Sequence, residues 1–396
     1  MVHIASADED PAVKQEREAV QAIERKPFTT ETDFTLEDVV ASTGELRDAL
    51  LSLPYGNGSS YFQKPGYFVN VQGFARTFDF IAGRLGGPPG GRLLDIGADL
   101  TWSTARLAAR GWRPVGTDIN HHLPASAVFQ RHGPAYAVAN VDMHVPAFGD
   151  EVFDVVTAFN ALHHTHRLPD LVANIARVLK PGGKLGFVEP YWYHEAVRDA
   201  FGRDEIDGGI NENVHSLEEW HQTLVNAGLE LVVFLISHSY NAIYRKQSVG
   251  AVRRTINIDE AREELFARHY YVRFLAPPVI PGLVPANQTI HVPVIVLNEA
   301  QAGWSSEGQI PVFLSYHLHR VDGDGTTLVA FDNPRTPLPG YLEPASETEV
   351  ILPIGTPAEP GEYVATVDLV HEARCWFFEK GGSTAGIRFR VRESSG

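Results

Sequence analysis

The sequence predicts two architectures in succession: an α/β unit with a mostly parallel sheet and helices on both faces, then an all-β sandwich. Two observations lead to this prediction. Between about residues 92 and 236, short apolar runs alternate with helical stretches, which is typical of a parallel sheet. After about residue 276 helical periodicity disappears, prolines multiply, and short strand-like segments recur at the spacing of a sandwich. A chain of 396 residues has room for two or three domains.

The predicted domains follow these changes of pattern along the chain. Residues 1–64 are rich in charge and contain two amphipathic stretches, so we expect a helical extension or cap. A main domain is expected over residues 65–245 and begins with a helix over residues 69–85. A helical linker over residues 246–279 and a sandwich over residues 280–396 complete the predicted organisation.

In the α/β unit, buried apolar runs mark the strands and apolar spacing of three and four marks the helices. The predicted strands are Leu93–Ile96, Pro114–Thr117, Ala135–Ala139, Phe153–Phe159, Lys184–Val188 and Leu229–Ile236. The predicted helices are Thr101–Arg110, Leu171–Lys180 and Leu217–Ala227. Ser216 and Glu219 form a capping box before the last helix, and Gly228 follows it as a C-terminal cap. Ligands of such folds bind at the carboxyl ends of the strands.

The sandwich prediction rests on six apolar segments between turn signals. They are His291–Leu297, Val312–Leu318, Thr327–Phe331, Glu349–Pro353, Tyr363–Val370 and Gly386–Val391. The sequence Pro-Gly-Glu-Tyr places Tyr363 at the start of a strand, where a tyrosine corner is expected.

The composition excludes several classes of protein. Apolar residues make up 44% and charged residues 21%, which excludes a disordered or coiled-coil chain. A net charge of −16 argues against nucleic acid as the main partner. The single cysteine and the lack of a Cys/His cluster at zinc spacing predict neither an intrachain disulfide nor a metal site. No leader pattern and no membrane-spanning apolar run are found, so a soluble cytoplasmic protein is expected.

One segment, LLDIGADLTWSTARLAARGWRPVGTDIN, has the pattern of a nucleotide-binding unit. A strand ends in Asp95, a turn contains Gly97, and a second strand ends in Asp118, 21 residues beyond Gly97. An acid in that position can accept hydrogen bonds from both ribose hydroxyls of an adenosine cofactor. The same spacing also arises by chance in α/β proteins, so the segment alone leaves a purely structural role open.

The segment NVDMHVPAFGDEVFDVVTAFNALHHTHRLPDLVANIARVLKPGGKLGFVEP follows, with further motifs at regular intervals. Together, residues 65–245 resemble the class I S-adenosylmethionine-dependent methyltransferases. The resemblance implies a Rossmann-like sheet and S-adenosylmethionine as the cofactor. It matches Gly97 to the glycine beside the methionine part of the cofactor, Asp118 to the ribose-binding acid and Asp142 to the adenine-binding acid. The implied cofactor-binding residues are Asp95, Gly97, Ala98, Asp99, Thr101, Trp102, Asp118, Ile119, Asp142, Met143 and Asn160.

The glycine loop departs from the family pattern GxGxG, since residues 97–101 keep only the first glycine. Asp99 stands where a residue without a side chain is usual. Its carboxylate either binds the ammonium group of the cofactor or crowds the pocket. Trp102, at the start of the next helix, either packs in the core or forms a wall of the cofactor site.

Candidates for the chemistry lie after the fourth and fifth strands of this pattern. Methylation of an alcohol requires removal of its proton, and His163 and His164 are the first candidates for the base. Glu189 is the second. Aromatic and hydrogen-bonding side chains in the following loops either bind a polyhydroxylated acceptor or form a packed lid: Tyr191, Tyr193, His194, Asn211, Glu212 and His215. A further basic group, Arg245, Lys246, Arg253 and Arg254, either holds a phosphate or forms a solvated helix face.

The C-terminal segment resembles an immunoglobulin-like module attached to enzymes of surface-polysaccharide pathways. The residues that carry this resemblance are the Trp304 region, the Leu-Pro turn, and the run from Val-His-Glu to Trp-Phe. It implies O-methylation of a sugar or glycan hydroxyl, and a nucleotide- or lipid-linked form of that acceptor stays open. Two alternatives stay open as well: a methyltransferase for small natural products, and a binding or scaffold protein whose altered loop no longer holds the cofactor. The sequence predicts no oligomeric state.

Overall fold

The computed structural model describes residues 3–4, 77–98, 101–119, 130, 133–193, 195–203, 206, 211–248, 250–251, 254–267, 269–323 and 325–392. The expected extension over residues 1–64 therefore lies outside the described residues, apart from the short strand β1 (His3–Ile4). The chain forms two compact units. One contains Met1–Val232 and Tyr240–Ile258, and the other contains Val233–Ser239 and Asp259–Gly396. The sequence placed residues 246–279 in a linker, whereas this division assigns most of them to the second unit.

The first unit alternates strands and helices as expected. Its helices are α1 (residues 77–82), α2 (Trp102–Ala109), α3 (Leu168–Val178), α4 (Glu195–Ala200) and α5 (Leu217–Asn226). Its strands after β1 are β2 (Arg92–Ile96), β3 (Arg113–Asp118), β4 (Ala137–Val141), β5 (Phe153–Phe159), β6 (Leu179–Glu189), β7 (Tyr191–Trp192), β8 (His215–Ser216), the start of β9 (Leu229–Ile236) and β10 (Tyr240–Lys246).

The strand order of the main sheet is β1-β4-β3-β2-β5-β6-β10-β9, so the order of the chain reverses at β2. The pairs from β4 to β6 are parallel, and β10 runs antiparallel to β6. This is the Rossmann-like sheet that the sequence predicted. Because the strands are parallel, the carboxyl ends of β2 to β6 share one edge. The reversal at β2 makes that edge the expected ligand-binding crevice.

The helices form where the sequence supplies an apolar face and a cap. In α3, Leu171, Val172 and Ile175 are buried on one face. The capping box before α5 is present: Ser216 Oγ accepts from Glu219 N at 3.1 Å, and Glu219 Oε2 accepts from Ser216 N at 2.7 Å.

One part of the first unit differs from the prediction. Arg245 and Lys246 lie on strand β10, so their assignment to a helix face is wrong. Arg245 Nη2 lies 2.6 Å from Glu230 Oε1, and Lys246 Nζ donates to the carbonyl oxygen of Leu179 at 2.7 Å. These partners account for both cations without a bound phosphate. Arg253 lies outside the described residues.

The second unit follows helix α6 (Ile258–Phe266) and consists mainly of strands. They are β11 (Val272–Leu275), β12 (Val279–Val284), β13 (Thr289–Asn298), β14 (Ala302–Ser305), β15 (Val312–Asp322), β16 (Gly325–Ala330), β17 (Thr336–Pro337), β18 (Tyr341–Leu342), β19 (Glu347–Gly355), β20 (Gly361–His371), β21 (Cys375–Trp376) and β22 (Ala385–Val391). One sheet has the order β11-β13-β19 and another the order β12-β22-β20-β15-β16. The all-β prediction is thereby confirmed.

Alternate residues of these strands form the core of the second unit. Val294 and Leu352 from the first sheet, and Leu314, Val367 and Ile387 from the second, are fully buried. The predicted tyrosine corner has its hydrogen bond, because Tyr363 Oη donates to the carbonyl oxygen of Glu359 at 2.9 Å. Within the described residues of the whole chain, no helix has the length and hydropathy needed to cross a bilayer.

Candidate functional site

Gly97 lies at the point where the strand order reverses. Its φ of 64° is in the left-handed region, and a Cβ placed on it would lie 2.2 Å from Cβ of Ala161. Ala161 belongs to the loop that follows β5. The turn after β2 and the loop after β5 therefore approach each other through a backbone without a side chain, which only glycine permits.

Asp95, at the end of β2, is fully buried and accepts three hydrogen bonds. The donors are Ser103 Oγ at 2.6 Å, Thr104 Oγ1 at 2.7 Å and Thr157 Oγ1 at 2.7 Å. Burial raises the pKa of this carboxyl group, and the hydroxyl donors act against that shift. Because these contacts tie the start of α2 to β5, the geometry favours a structural role for Asp95 over the predicted contact with a cofactor.

The remaining residues of the turn also pack against protein. Ala98 N donates to the carbonyl oxygen of Thr117 at 2.9 Å. Thr101 has a φ of 67°, uncommon for a β-branched residue, and its Oγ1 lies 2.7 Å from Tyr136 Oη. Trp102 is buried, and its ring contacts that of Phe78 edge-on at 4.9 Å, which favours the packing alternative. Asp99 lies outside the described residues.

The next two strand ends carry the predicted ribose and adenine acids. Asp118 ends β3, and the carbonyl oxygen of Ile119 accepts from Asn140 Nδ2 at 3.0 Å. Asp142 and Met143 follow β4. Both acids are partly buried at the same edge of the sheet. Gly97 and both acids therefore lie at or just after the ends of three adjacent strands, and their contacts with a cofactor stay a prediction.

His144 also belongs to this part of the site, although the sequence analysis did not predict it. Its Nδ1 lies 2.8 Å from Asp142 Oδ1, and its Nε2 lies 2.6 Å from Thr165 Oγ1. Burial by itself would raise the pKa of Asp142. The hydrogen bonds from His144 have the opposite effect and outweigh it, so the pKa lies below its usual value. Its position in the sequence could have indicated this role, because a side chain two residues after Asp142 can form a hydrogen bond with that carboxylate.

Glu189 organises the loop after β5. Its buried carboxylate accepts from the backbone N–H groups of Ala161 and Leu162 at 2.9 Å and of His163 at 3.2 Å. Its Oε2 also lies 2.7 Å from His163 Nδ1. A carboxylate with four such partners is poorly suited to take a proton from an acceptor. The contacts favour a positioning role over the base role proposed from sequence.

Beside Glu189, three side chains converge at the same edge; we refer to His163, His164 and Glu212 as the His–Glu cluster. His163 Nε2 lies 3.2 Å from Glu212 Oε2, and the two imidazole rings are 4.2 Å apart. His164 Nδ1 donates to the carbonyl oxygen of Asn211 at 2.7 Å. Asn213 N donates to the carbonyl oxygen of His163 at 2.9 Å, so the segment around Glu212 is fastened directly to the histidine loop.

The two histidines have opposite pKa shifts. Burial lowers the pKa of His163, but its interactions with the carboxylates of Glu189 and Glu212 outweigh burial and raise the pKa to about 9. Burial and the neighbouring charge of His163 lower the pKa of His164. In the protein without bound ligands, His163 is therefore protonated at neutral pH while His164 is neutral.

The predicted acceptor residues lie around this cluster. Strands β7 and β8 pair in parallel, so that Tyr191 is the register partner of His215. Tyr191 is buried, whereas Tyr193 and His215 are partly exposed. Burial lowers the pKa of His215. Asn211 and Glu212 contact the histidines as described, and His194 lies outside the described residues.

The spacing of the His–Glu cluster also suits a metal ion. One ligand atom from each of its three side chains lies within 4.8 Å of the other two. The sequence gave no reason to expect this, because Glu212 lies 48 residues beyond His164 and forms no spacing motif with it.

Comparison with known proteins finds similarity mainly in the first unit. The profile of a family described as a methyltransferase domain matches residues 70–233. Sterol 24-C-methyltransferase erg6 of Schizosaccharomyces pombe is 33% identical over 30% of this chain and 33% of its own length. Demethylmenaquinone methyltransferase of Corynebacterium efficiens is 34% identical over 27% of this chain and 44% of its own. Fusarielin synthase FSL1 of Gibberella zeae is 27% identical over 45% of this chain and 7% of its own.

The matches thus span less than half the length of these relatives. Among solved structures, a putative methyltransferase in complex with the Haloferax volcanii activator Trm112 is 17% identical, with a TM-score of 0.39 over 44% of this chain and 91% of its own. The [4+2]-cyclase SpnF is 20% identical, with a TM-score of 0.37 over 45% of this chain and 83% of its own.

Proposed function

We propose that the protein is an S-adenosylmethionine-dependent O-methyltransferase that acts on a hydroxyl group of a sugar or glycan. The observation that carries this proposal is that the candidate cofactor residues and the candidate catalytic residues lie at the same edge of one sheet. Gly97, Asp118 and Asp142 lie on one side of it, and the His–Glu cluster follows β5 and β6. The match of residues 70–233 to a methyltransferase domain and the methyltransferases among the relatives support the cofactor.

The residues present fit an adenosine cofactor. Gly97 lets the turn after β2 pack against Ala161 at the strand-order reversal, where the ligands of such sheets bind. Asp118 would hold the ribose hydroxyls and Asp142 the adenine amino group, each as a hydrogen-bond acceptor. Asn160, with a φ of 53°, turns the chain at the end of β5 towards the same edge. When bound, S-adenosylmethionine supplies a reactive methyl group for transfer to a nucleophile.

The chain itself would align the acceptor and withdraw the hydroxyl proton. Alignment is a large part of the catalysis of such displacements, because the reacting groups must lie in line. Of the two histidines that follow β5, the neutral His164 can accept the hydroxyl proton, whereas the protonated His163 can only donate a hydrogen bond. The His–Glu cluster is thus the part of the site that we assign to hydroxyl activation.

The sugar acceptor is supported by the side chains around the cluster. Tyr193, His215 and Asn211 combine aromatic surface with hydrogen-bonding groups, a composition suited to a polyhydroxylated ligand. A second candidate is the hydroxyl of a small natural product, favoured by the relatives named fusarielin synthase and highly reducing polyketide synthase, the latter 45% identical over 56 residues. The two candidates share the cofactor and the cluster, and differ only in the acceptor.

Titration calorimetry with S-adenosylmethionine tests the cofactor assignment. We expect the wild-type protein to bind it, and Asp118→Ala to weaken binding by tenfold or more, since hydrogen bonds to a charged acceptor contribute about 1.5 to 3 kcal/mol each. Asp150→Asn, an exposed acid, is the matched control. Undetectable binding by the folded wild-type protein would favour the scaffold alternative. A screen of sugar and small-molecule alcohols with isotope-labelled cofactor then separates the two acceptor classes.

A further inference from the structure

We propose that the His–Glu cluster is a binding site for a divalent transition-metal ion of the zinc class, with His163, His164 and Glu212 as its ligands. Two imidazoles and one carboxylate form a known set of protein ligands for catalytic zinc, and such sites keep a further position open for water or substrate. One ligand atom from each residue lies within 4.8 Å of the other two, which allows one ion to contact all three.

The outer contacts of both histidines match those of metal-bound imidazoles. His163 directs Nδ1 to the carboxylate of Glu189 at 2.7 Å, and His164 directs Nδ1 to the carbonyl oxygen of Asn211 at 2.7 Å. A ligating histidine usually donates its other ring N–H to a carboxylate or a backbone carbonyl in this way. With Nδ1 protonated, the neutral ring of His163 carries its lone pair on Nε2, the atom that lies 3.2 Å from Glu212 Oε2. Nδ1 of His164 lies 3.7 Å from Glu212 Oε1.

Glu212 supplies a second, independent observation. Its Oε2 is buried and accepts no hydrogen bond from a described residue, although it lies 3.2 Å from His163 Nε2. The two atoms are close without the alignment of a hydrogen bond. Such a separation is also that of two neighbouring ligands on one ion with bonds of about 2.0 to 2.2 Å. An ion between them would satisfy the carboxylate oxygen.

The packing around Glu212 holds its side chain in place. A Cβ placed on Gly202 would lie 2.5 Å from Glu212 Cγ, so the chain after α4 passes directly against this side chain. Asn213 N is bonded to the carbonyl oxygen of His163. The carboxylate is therefore presented to the histidines by two neighbouring segments, which gives a site that needs little rearrangement on binding.

The local charge favours a cation. Glu189 and Glu212 place two carboxylates against His163; that of Glu189 is buried and that of Glu212 is partly buried. A divalent ion bound here would neutralise these carboxylates. At its open position it would hold an acceptor hydroxyl and lower the pKa of that hydroxyl, so that the proton is released to solvent. This last role depends on the proposed function, whereas metal binding does not.

Cobalt(II) binding to the full-length, chelator-treated protein tests the site directly. We expect a visible d–d absorption spectrum that saturates at one ion per chain, and competition by Zn²⁺. Glu212→Gln and His163→Gln should weaken binding by tenfold or more. Glu189→Gln should weaken it by about 10- to 100-fold, because outer-shell partners have effects of that size. His238→Gln, whose side chain is exposed, should bind cobalt as the wild type does.

Several outcomes would overturn the proposal. A wild-type protein that binds neither Co²⁺ nor Zn²⁺ has no such site, and cobalt affinity that is equal in the wild type and all cluster variants places the ion elsewhere. Circular dichroism of each variant separates loss of ligand from loss of fold, and the wild-type titration decides the question if a variant does not fold. Full methyl transfer after exhaustive chelation would overturn the role in hydroxyl activation. Cobalt binding without S-adenosylmethionine binding would instead overturn the proposed function and leave the metal site standing.

Discussion

At the scale of single residues, the position of Gly97 imposes two requirements that only glycine meets. Its left-handed φ of 64° disfavours a side chain, and a Cβ would collide with Ala161. The sequence showed the glycine at the end of a strand, but not the loop against which it packs. Its role is thus to let two loops meet at the crevice.

Gly97→Ala should therefore disrupt the cofactor site and not only the local backbone. We expect a loss of S-adenosylmethionine affinity of tenfold or more, because the loop carrying Ala161 must move. Calorimetry checks this. Gly182→Ala is the matched control: Gly182 has a φ of 77° and nothing within 4 Å of an added Cβ, so it should lose only about 1 to 2 kcal/mol of stability. Equal cofactor affinity in wild type and Gly97→Ala would contradict this account.

Asp95 lies where the sequence predicted an acid, but the sequence did not reveal its contacts within the protein. The acid does end β2 beside the glycine turn, as predicted. Its oxygens, however, are occupied by hydroxyls of α2 and β5. The hydroxyl donors lie up to 62 residues away, and no local pattern announces them.

At the scale of elements, the loop from Asn160 to Thr165 is fixed at both ends. Glu189 binds the backbone at its beginning, and His144 reaches Thr165 Oγ1 at its end. The loop thereby connects the residues after β4 with the residue that ends β6. Its short 3₁₀ turn, Leu162–His164, presents the two histidines in sequence.

Replacing Glu189 by Gln should loosen this loop. The amide keeps one acceptor oxygen, while its NH₂ group would face donors, so some of the four hydrogen bonds must be lost. We expect a loss of unfolding free energy of about 2 to 4 kcal/mol, since hydrogen bonds to charged groups contribute about 1.5 to 3 kcal/mol each. Turnover should also fall by about a hundredfold, because a small displacement of the histidines from their positions has an effect of that size. Urea denaturation and a methyl-transfer assay measure both.

The exposed Glu195 in α4 is the control position, and Glu195→Gln should change neither quantity. If Glu189→Gln lowered turnover while its urea midpoint stayed that of the wild type, Glu189 would act in the chemistry and not as an anchor. The base role suggested by the sequence would then be the better account.

At the scale of the whole molecule, the second unit contains a buried pair of uncharged histidines. His269 and His371 are almost fully buried, and their rings stack at 4.8 Å. Burial lowers the pKa of His269 to about 3, with Arg374 adding to the effect. Burial and the neighbouring His269 and Arg374 lower the pKa of His371 well below its usual value. Tyr270 Oη contacts His371 Nδ1 at 3.2 Å.

This pair should make the second unit sensitive to acid. Below about pH 6.5, the unfolded chain binds protons at both positions and the folded unit does not, so folding loses stability as the pH falls. Each histidine that stays neutral contributes a slope of about 1.4 kcal/mol per pH unit until its folded pKa is reached. Urea denaturation between pH 7.5 and 5 should show this decline.

His269→Phe removes one titrating group and keeps the aromatic packing, so its stability should decline less steeply with acid than that of the wild type. His238→Gln, at an exposed position, should leave the slope unchanged. Identical slopes in wild type and His269→Phe would show that His269 does not remain neutral in the folded protein. His163 has a raised pKa, so its protonation changes stability with pH in the opposite direction. Because His163 is present in both the wild type and His269→Phe, this effect cancels when their slopes are compared.

Much of the architecture was determined by the sequence alone, because it is written in local patterns. The strand Phe153–Phe159 has the predicted bounds, since a short, mostly apolar run between polar segments is typical of a buried strand. The capping box at Ser216 and the tyrosine corner at Tyr363 were likewise predictable, because both join residues within four positions of each other. The position of Asp118 at a strand end followed from the same periodicity, whereas Asp142 was assigned from the resemblance to methyltransferases.

Only the tertiary structure decided which distant segments of the chain contact each other. Strand β10 was missed, and its pairing joins it to residues of β6 that lie more than 50 positions away in the sequence. The approach of Gly97 to Ala161, the four hydrogen bonds of Glu189 and the convergence of Glu212 on two histidines depend on the register and packing of several strands. Those are set by the burial of the whole apolar core, so no local stretch of sequence contains them.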